Sequence, residues 1–218
     1  MAYRFKSLFA ELPLIGIFRG IKPNDAVSVV GAAIDKGLRI VEVPLNSPAP
    51  LDSITRLADR FGEQVLVGAG TVTTVAEVEA VAQAGGRLIV TPYARRAVVE
   101  RAKELGLAAI PGALTPTEIA EMHAAGADAV KIFPAEMMPP RILKGLGAIL
   151  PPDLLLVPVG GVSLENMADY VAAGAAGFGL GTALYRAGDR AETVAARAAA
   201  FVVHLQCLLA GPADPISG

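Results

Sequence analysis

The stretch Ala129-Val130-Lys131-Ile132-Phe133-Pro134 sets one lysine in the middle of an apolar run that a proline closes. Strand alternation puts Val130 and Ile132 on one face and Lys131 on the other. An ammonium held there loses its water, a loss too costly to keep without a partner or a lowered pKa. Two readings follow. Either this is an edge strand that turns its lysine to solvent, or Lys131 is a desolvated amine nucleophile of the Schiff-base kind.

The run is one instance of a unit that recurs along the chain: a helix ends on glycine and a β-rich run begins one to three residues later. Gly37 precedes 39–44, Gly62 precedes 65–69, Gly85-Gly86 precedes 88–91, Gly106 precedes 107–110 and Gly126 precedes 129–133. Pro151-Pro152 precedes 154–159, and Gly174 precedes 177–180. With the apolar run 14–18 this makes eight strands, whose starts fall ~20–25 residues apart, the spacing of strand–loop–helix units in a parallel sheet. Eight units predict an α/β fold of the (β/α)8 TIM-barrel class, eight parallel strands inside a ring of helices. No GxGxxG follows the first strand, which weighs against a dinucleotide fold. Residues 1–12 read as a short amphipathic helix outside the barrel. Pro23 with Asn24 and Asp25 opens a helix, and Thr74–Glu77 and Thr115–Glu118 carry the capping-box pattern. The last helix is expected over about 190–209. The whole of 1–218 reads as one domain, the barrel over about 13–209 and a frayed tail over 211–218.

At 218 residues, 53% hydrophobic and without tryptophan, the chain supports a large aliphatic core. Its formal net charge of -2 gives no footprint for nucleic acid. The single cysteine, Cys207, excludes an intrachain disulfide and is expected to serve packing on the late helix. No signal peptide is recognisable at the N-terminus, and no apolar run approaches the ~20 residues of a membrane span. The expectation is a soluble, cytoplasmic protein. His123 and His204, the only histidines, fall on predicted helices with no ligand cluster around them, so no metal site is expected.

In a barrel of this kind chemistry gathers at the C-terminal strand ends. Strand two carries Glu42 between Val41 and Val43, and the same alternation turns Glu42 and Lys131 inward together. An acid and an amine at a barrel mouth suit proton transfer; a buried structural ion pair is the alternative. Gly160, Gly161, Gly181 and Thr182, after strands seven and eight, form a candidate phosphate cradle, since small residues let backbone N–H groups approach an anion. Arg19, at the end of strand one, is a candidate carboxylate clamp, and Thr71 a candidate hydrogen-bonding residue. Arg95-Arg96 reads as a solvated helix start, with a pair facing the pocket as the alternative.

Seven segments carry a resemblance: VEVPLNSP (41–48), GAGTV (68–72), TP (91–92), PG (111–112), VKIFPAE (130–136), VGGV (159–162) and GLGTALYRAG (179–188). In unbroken order over about 13–204, they resemble the 2-keto-3-deoxy-6-phosphogluconate/phosphogalactonate aldolase family. The resemblance implies a metal-free, cofactor-free class I aldolase that assembles as a homotrimer. Lys131 would be the Schiff-base lysine and Glu42 the general acid/base. Thr71, Pro92 and Phe133 would line the pocket, and the two glycine loops would hold phosphate. The phosphogluconate branch typically has an arginine where Asn46 stands here; Asn46 keeps a place among the substrate-binding candidates with Arg19 as the replacement for the guanidinium, and PLNSP with LYRAG resembles the phosphogalactonate branch. The implied substrate is a phosphorylated 2-keto-3-deoxy sugar acid, and the products are pyruvate and glyceraldehyde 3-phosphate. The phosphogluconate epimer, a phosphosugar epimerase or isomerase, and a non-catalytic phosphosugar-binding barrel remain alternatives at this point.

Overall fold

The computed structural model describes residues 2–210, and the tail expected over 211–218 lies outside them. Helix α1 (Ala2–Glu11) precedes β1 (Leu14–Ile17), and strands and helices then alternate, except at one pair of consecutive strands and at a 3-10 turn. In order come α2 (Pro23–Ile34), β2 (Ile40–Pro44), α3 (Pro50–Phe61), β3 (Leu66–Gly70), α4 (Val75–Gln83) and β4 (Leu88–Val90). Next are α5 (Arg96–Glu104), β5 (Ala108–Ile110), β6 (Gly112–Ala113), α6 (Pro116–Ala124) and β7 (Val130–Ile132). A 3-10 turn (Ala135–Met137), α7 (Pro140–Leu146), β8 (Leu156–Pro158), α8 (Met167–Ala172), β9 (Phe178–Leu180) and α9 (Ala191–Ala210) complete the described chain.

The elements form where local chemistry asks for them. Pro23 opens α2, and both expected capping boxes are made: Thr74 and Glu77 start α4, and Thr115 and Glu118 start α6. In each box the hydroxyl accepts from a first-turn N–H while the glutamate reaches back to the cap N–H, so two orphan donors are satisfied at once.

All strand pairs are parallel, but they do not form the single run of eight that the repeat predicts. Hydrogen bonding gives a six-stranded sheet, β5-β4-β3-β2-β1-β9, and a three-stranded sheet, β6-β7-β8. The fifth expected strand is split at Pro111. Its first half pairs with β4 and its second half with β7. Proline has no N–H to give a ladder, so the pairing changes partner there. At the other seam a single parallel bridge, Val159 to Gly179, joins β8 to β9.

Two hydrophobic clusters sandwich the strands. Val41, Val43, Val130 and Ile132 belong to the cluster shared with the outer helices. Ile15, Ile17, Ile40, Leu66, Leu88, Ala129 and Val157 form a second cluster on the opposite face, with Phe5 and Phe9 of α1 added to it. The alternation at 40–44 and 129–132 therefore holds, and Glu42 and Lys131 share the face of Ile40 and Ala129. Helix α1 is attached by its aromatics, Phe5 and Phe9 stacking with ring centres 5.1 Å apart.

Helix α9 departs from expectation twice. By length and composition alone it is long and apolar enough to cross a membrane, against the reading that no run is. Val194, Ala198, Phe201, Val202 and Leu205 are buried, a helical stripe of the kind that packs on a protein core. Cys207 is exposed, so it does not serve packing as expected. Two residues beyond Leu205, at about 100° per residue, it has rotated off the buried stripe.

Because Phe5 is fully buried, Phe5→Ala is expected to destabilise the protein by about 3–5 kcal/mol in urea denaturation. An effect below about 1 kcal/mol would mean that α1 is not integral to the inner core.

Candidate active site

Lys131 is fixed by both neighbouring strands, opposite Gly112 of β6 and Val157 of β8, and its N–H donates to the Pro111 carbonyl at 2.9 Å. Glu42 sits opposite Ile17 of β1 and Gly68 of β3. Only 5% of Lys131 and 1% of Glu42 is exposed. The ammonium nitrogen lies 4.4 Å from the centre of the Phe133 ring. Among the described residues the two form no ion pair within 4 Å, and Glu42 Oε2 has no hydrogen-bond partner.

Burial governs the acid–base state of both groups. It pushes the Glu42 carboxyl up to about 7, against the opposing pull of the Lys131 and Arg19 charges. It pulls Lys131 down; the Glu42 charge opposes this and the Arg19 charge adds to it. Both groups are thereby driven toward their neutral forms.

The slot for the Glu42 carboxyl exists because Gly70 has no side chain. A Cβ at Gly70 would run into both carboxylate oxygens of Glu42. Sequence reading gave Gly70 no part; a glycine two residues after Gly68, on the same strand face, was its only signal. Thr91, also buried, accepts from the Gly112 N–H at 3.1 Å and so steadies the strand beside Lys131.

A cavity of about 370 Å³ opens over Lys131. It gathers Arg19, Lys131, Phe133 and all four cradle candidates, Gly160, Gly161, Gly181 and Thr182. Asn46 and Thr71 are not in its wall but act on it through Arg19: the guanidinium donates to Asn46 Oδ1 and, at 3.5 Å, to Thr71 Oγ1. Thr71 holds a left-handed backbone (φ 57°), a conformation costing about 1–2 kcal/mol for a residue with a Cβ. Glu42 and Pro92 are also outside the wall; Pro92 backs onto Gly112, where a Cβ would meet the Pro92 carbonyl oxygen at 2.6 Å. Tyr185 and Arg186 line the cavity and were assigned no role from sequence. Arg96 opens α5 and is exposed, as read, and Arg95 lies over the Tyr93 ring.

A larger cavity, about 730 Å³, lies at the other strand ends, between α1 and the residues that lead into β7 and β8. Its Lys103 and Asp128 are paired with each other. The smaller cavity is the one that meets the buried amine.

Since the folded state raises the Glu42 pKa from 4.5 to about 7, between those values it binds more protons than the unfolded state does. Stability from this group is full below pH 4.5 and is lost as pH rises to 7, by about 3 kcal/mol. Glu42→Gln is expected to remove that slope from a series of denaturation curves between pH 4.5 and 7; an unchanged slope would assign it to other groups.

Known proteins resemble this chain over most of its length. The profile of the "KDPG and KHG aldolase" family matches residues 5–197. The 2-dehydro-3-deoxy-6-phosphogalactonate aldolase of Escherichia coli (strain K12) is 48% identical over 192 residues, 88% of this chain and 94% of that protein. A probable 2-dehydro-3-deoxy-6-phosphogalactonate aldolase of Rhizobium meliloti (strain 1021) is 45% identical over 201 residues, 92% of this chain and 95% of that protein. A solved structure described as native KDPGal superposes with a TM-score of 0.90 at 46% identity, covering 92% of this chain and 97% of that one. On the family match and these identities together, the chain belongs to the KDPG and KHG aldolase family and is a carbon–carbon lyase.

Proposed function

We propose that the protein is a class I 2-dehydro-3-deoxy-6-phosphogalactonate aldolase, cleaving its substrate reversibly to pyruvate and D-glyceraldehyde 3-phosphate. The observation that carries the reading is the co-burial of Lys131 and Glu42 on one face of the strands, with Lys131 in the floor of the 370 Å³ cavity. The two sheets are taken as arcs of one eight-stranded ring, split at Pro111 and closed through the Val159–Gly179 bridge. The ring is a single domain over about 13–209.

In this cycle the neutral Lys131 amine attacks the C2 ketone, and the carbinolamine loses water to give an iminium. Glu42, through one water, takes the C4 hydroxyl proton. The C3–C4 bond breaks, its electron pair passes into the iminium, and glyceraldehyde 3-phosphate leaves. Glu42 returns the proton to C3 of the enamine, and hydrolysis frees pyruvate and Lys131. One carboxyl serves both steps because its charge alternates between them. The protein enters this cycle through two side chains, with water as the other participant, and the cycle as proposed calls on no metal or cofactor.

Arg19, held by Asn46 and Thr71, would take the substrate carboxylate at the mouth. Phe133 would cover the apolar side of the bound chain, and Pro92 would back the wall at Gly112. Gly160, Gly161, Gly181 and Thr182 would take the phosphate. The galactonate epimer is favoured by Asn46, which stands where the gluconate branch typically has arginine, and by the names of the two relatives at 48% and 45% identity. The resemblance extends the proposal to a homotrimer, for which sedimentation equilibrium should give three chain masses. Cys207, as a lone cysteine, suits the cytoplasm.

Borohydride reduction in the presence of pyruvate is expected to leave a covalent adduct on Lys131 by peptide mass mapping; its absence would sink the Schiff-base reading. Glu42→Gln is expected to lower kcat by about 10²–10⁴. Retro-aldol rates on the two C4 epimers should favour the galactonate, and a preference for the gluconate would reverse the substrate assignment.

A further inference from the structure

We infer that Arg186 is the cation that anchors the substrate phosphate and makes the site selective for phosphorylated substrates. The inference rests on the aldolase reading and adds to it a residue that neither strand-end logic nor the cradle itself supplies.

The charges around the cavity lead to it. Its wall holds three cations: Arg19, Lys131 and Arg186. Lys131 is buried and driven toward its neutral form. Arg19 is tied to Asn46 and Thr71 at the end of β1. Only Arg186 remains beside the glycine loops. It follows Gly181 and Thr182 by a few residues, it is exposed, and among the described residues its guanidinium has neither a hydrogen-bond acceptor nor an ion pair. Its backbone is nevertheless held: the Arg186 N–H donates to Asp189 Oδ2 at 2.8 Å, and the same oxygen accepts from Arg197 of α9. The loop is fixed and its cation is left unpaired.

The cradle has a reason to need that charge. Glu136, in the turn after β7, lies directly against it: a Cβ at Gly160 would be 2.9 Å from Glu136 Oε2, and one at Gly161 2.8 Å from Oε1. The turn carrying Glu136 is itself pinned, because Ala135 N–H donates to Val159 and the Tyr170 hydroxyl donates to the Ala135 carbonyl, both at 2.9 Å. A carboxylate beside the glycine loops disfavours a phosphate dianion. A guanidinium, planar and able to give two parallel N–H bonds to phosphate oxygens, offsets that repulsion.

The test reads phosphate-ester binding directly, independent of turnover. Glycerol 3-phosphate, an unreactive ester, is titrated calorimetrically into wild-type protein, Arg186→Gln and Arg186→Lys, with thermal melting as the check on folding. The expected result is a Kd at least about 10-fold weaker in Arg186→Gln and partly restored in Arg186→Lys, with a salt dependence that is shallower in the glutamine variant. In parallel, KM for the phosphorylated substrate should rise in Arg186→Gln by more than KM for the same sugar acid without phosphate. Equal glycerol 3-phosphate affinity in wild type and Arg186→Gln, or no binding to wild type, overturns the inference. Pyruvate trapping on wild type judges the aldolase reading separately, so failure of one is not mistaken for failure of the other.

Discussion

Two ionisable side chains kept from water, with no direct bond between them, are the constraint around which the rest is arranged. Glu42 and Lys131 are both buried, on strands at different places in the pairing order, and no protein group satisfies Glu42 Oε2 among the described residues. A buried ion pair would have been the simpler way to hold both charges, and it would also have locked both. Separation leaves each group to relieve its burial by becoming neutral. That is why desolvation outweighs the attraction between them in both shifts. The surroundings keep the separation: Gly70 makes the carboxyl slot, and the pairing of Lys131 with Gly112 and Val157 fixes where the amine emerges.

Much of this was legible because it follows from period and punctuation. Alternation alone put Glu42 and Lys131 on one face, since Val41, Val43, Val130 and Ile132 had to meet the helices. The capping boxes were readable because both halves of each lie within four residues. What escaped was non-local or negative. Pro111 was visible, but that it would divide one strand between two neighbours depends on which strands lie beside it. Gly70 matters for an atom it lacks, against a carboxyl on another strand. That Asn46 and Thr71 both accept from Arg19 was not foreseen. Only the fold brings those three strand ends together. The exposure of Cys207 depended on which stripe of α9 packs, and an Ala-rich helix leaves that stripe weakly marked.

The cavity meets charged groups in two settings. Arg19 is pre-oriented by two side-chain oxygens, so little freedom is lost when its planar fork meets a carboxylate. Glu136 lies against the glycine loops, and among the described residues Arg186 stands unpaired. A substrate with a carboxylate at one terminus and a phosphate at the other would be oriented by both ends, while its ketone is brought over a neutral amine. Positioning of that kind supplies rate without any group having to be unusually reactive.

The protonation state that burial favours is also the one the proposed cycle starts from. With Lys131 as a free amine and Glu42 as a carboxylic acid, neither buried group carries charge. Attack by the amine gives a carbinolamine, and dehydration needs an acid; Glu42 is in its acid form. Water then leaves an iminium cation beside a carboxylate, so charge appears as an opposed pair. The carboxylate takes the C4 hydroxyl proton as the iminium takes the electrons of C3–C4, and both groups are neutral again. Protonation of the enamine and hydrolysis repeat the alternation. At no step does this site hold one buried charge without its opposite, which is what a carboxyl near pH 7 and a depressed lysine allow and an ordinary salt bridge would not.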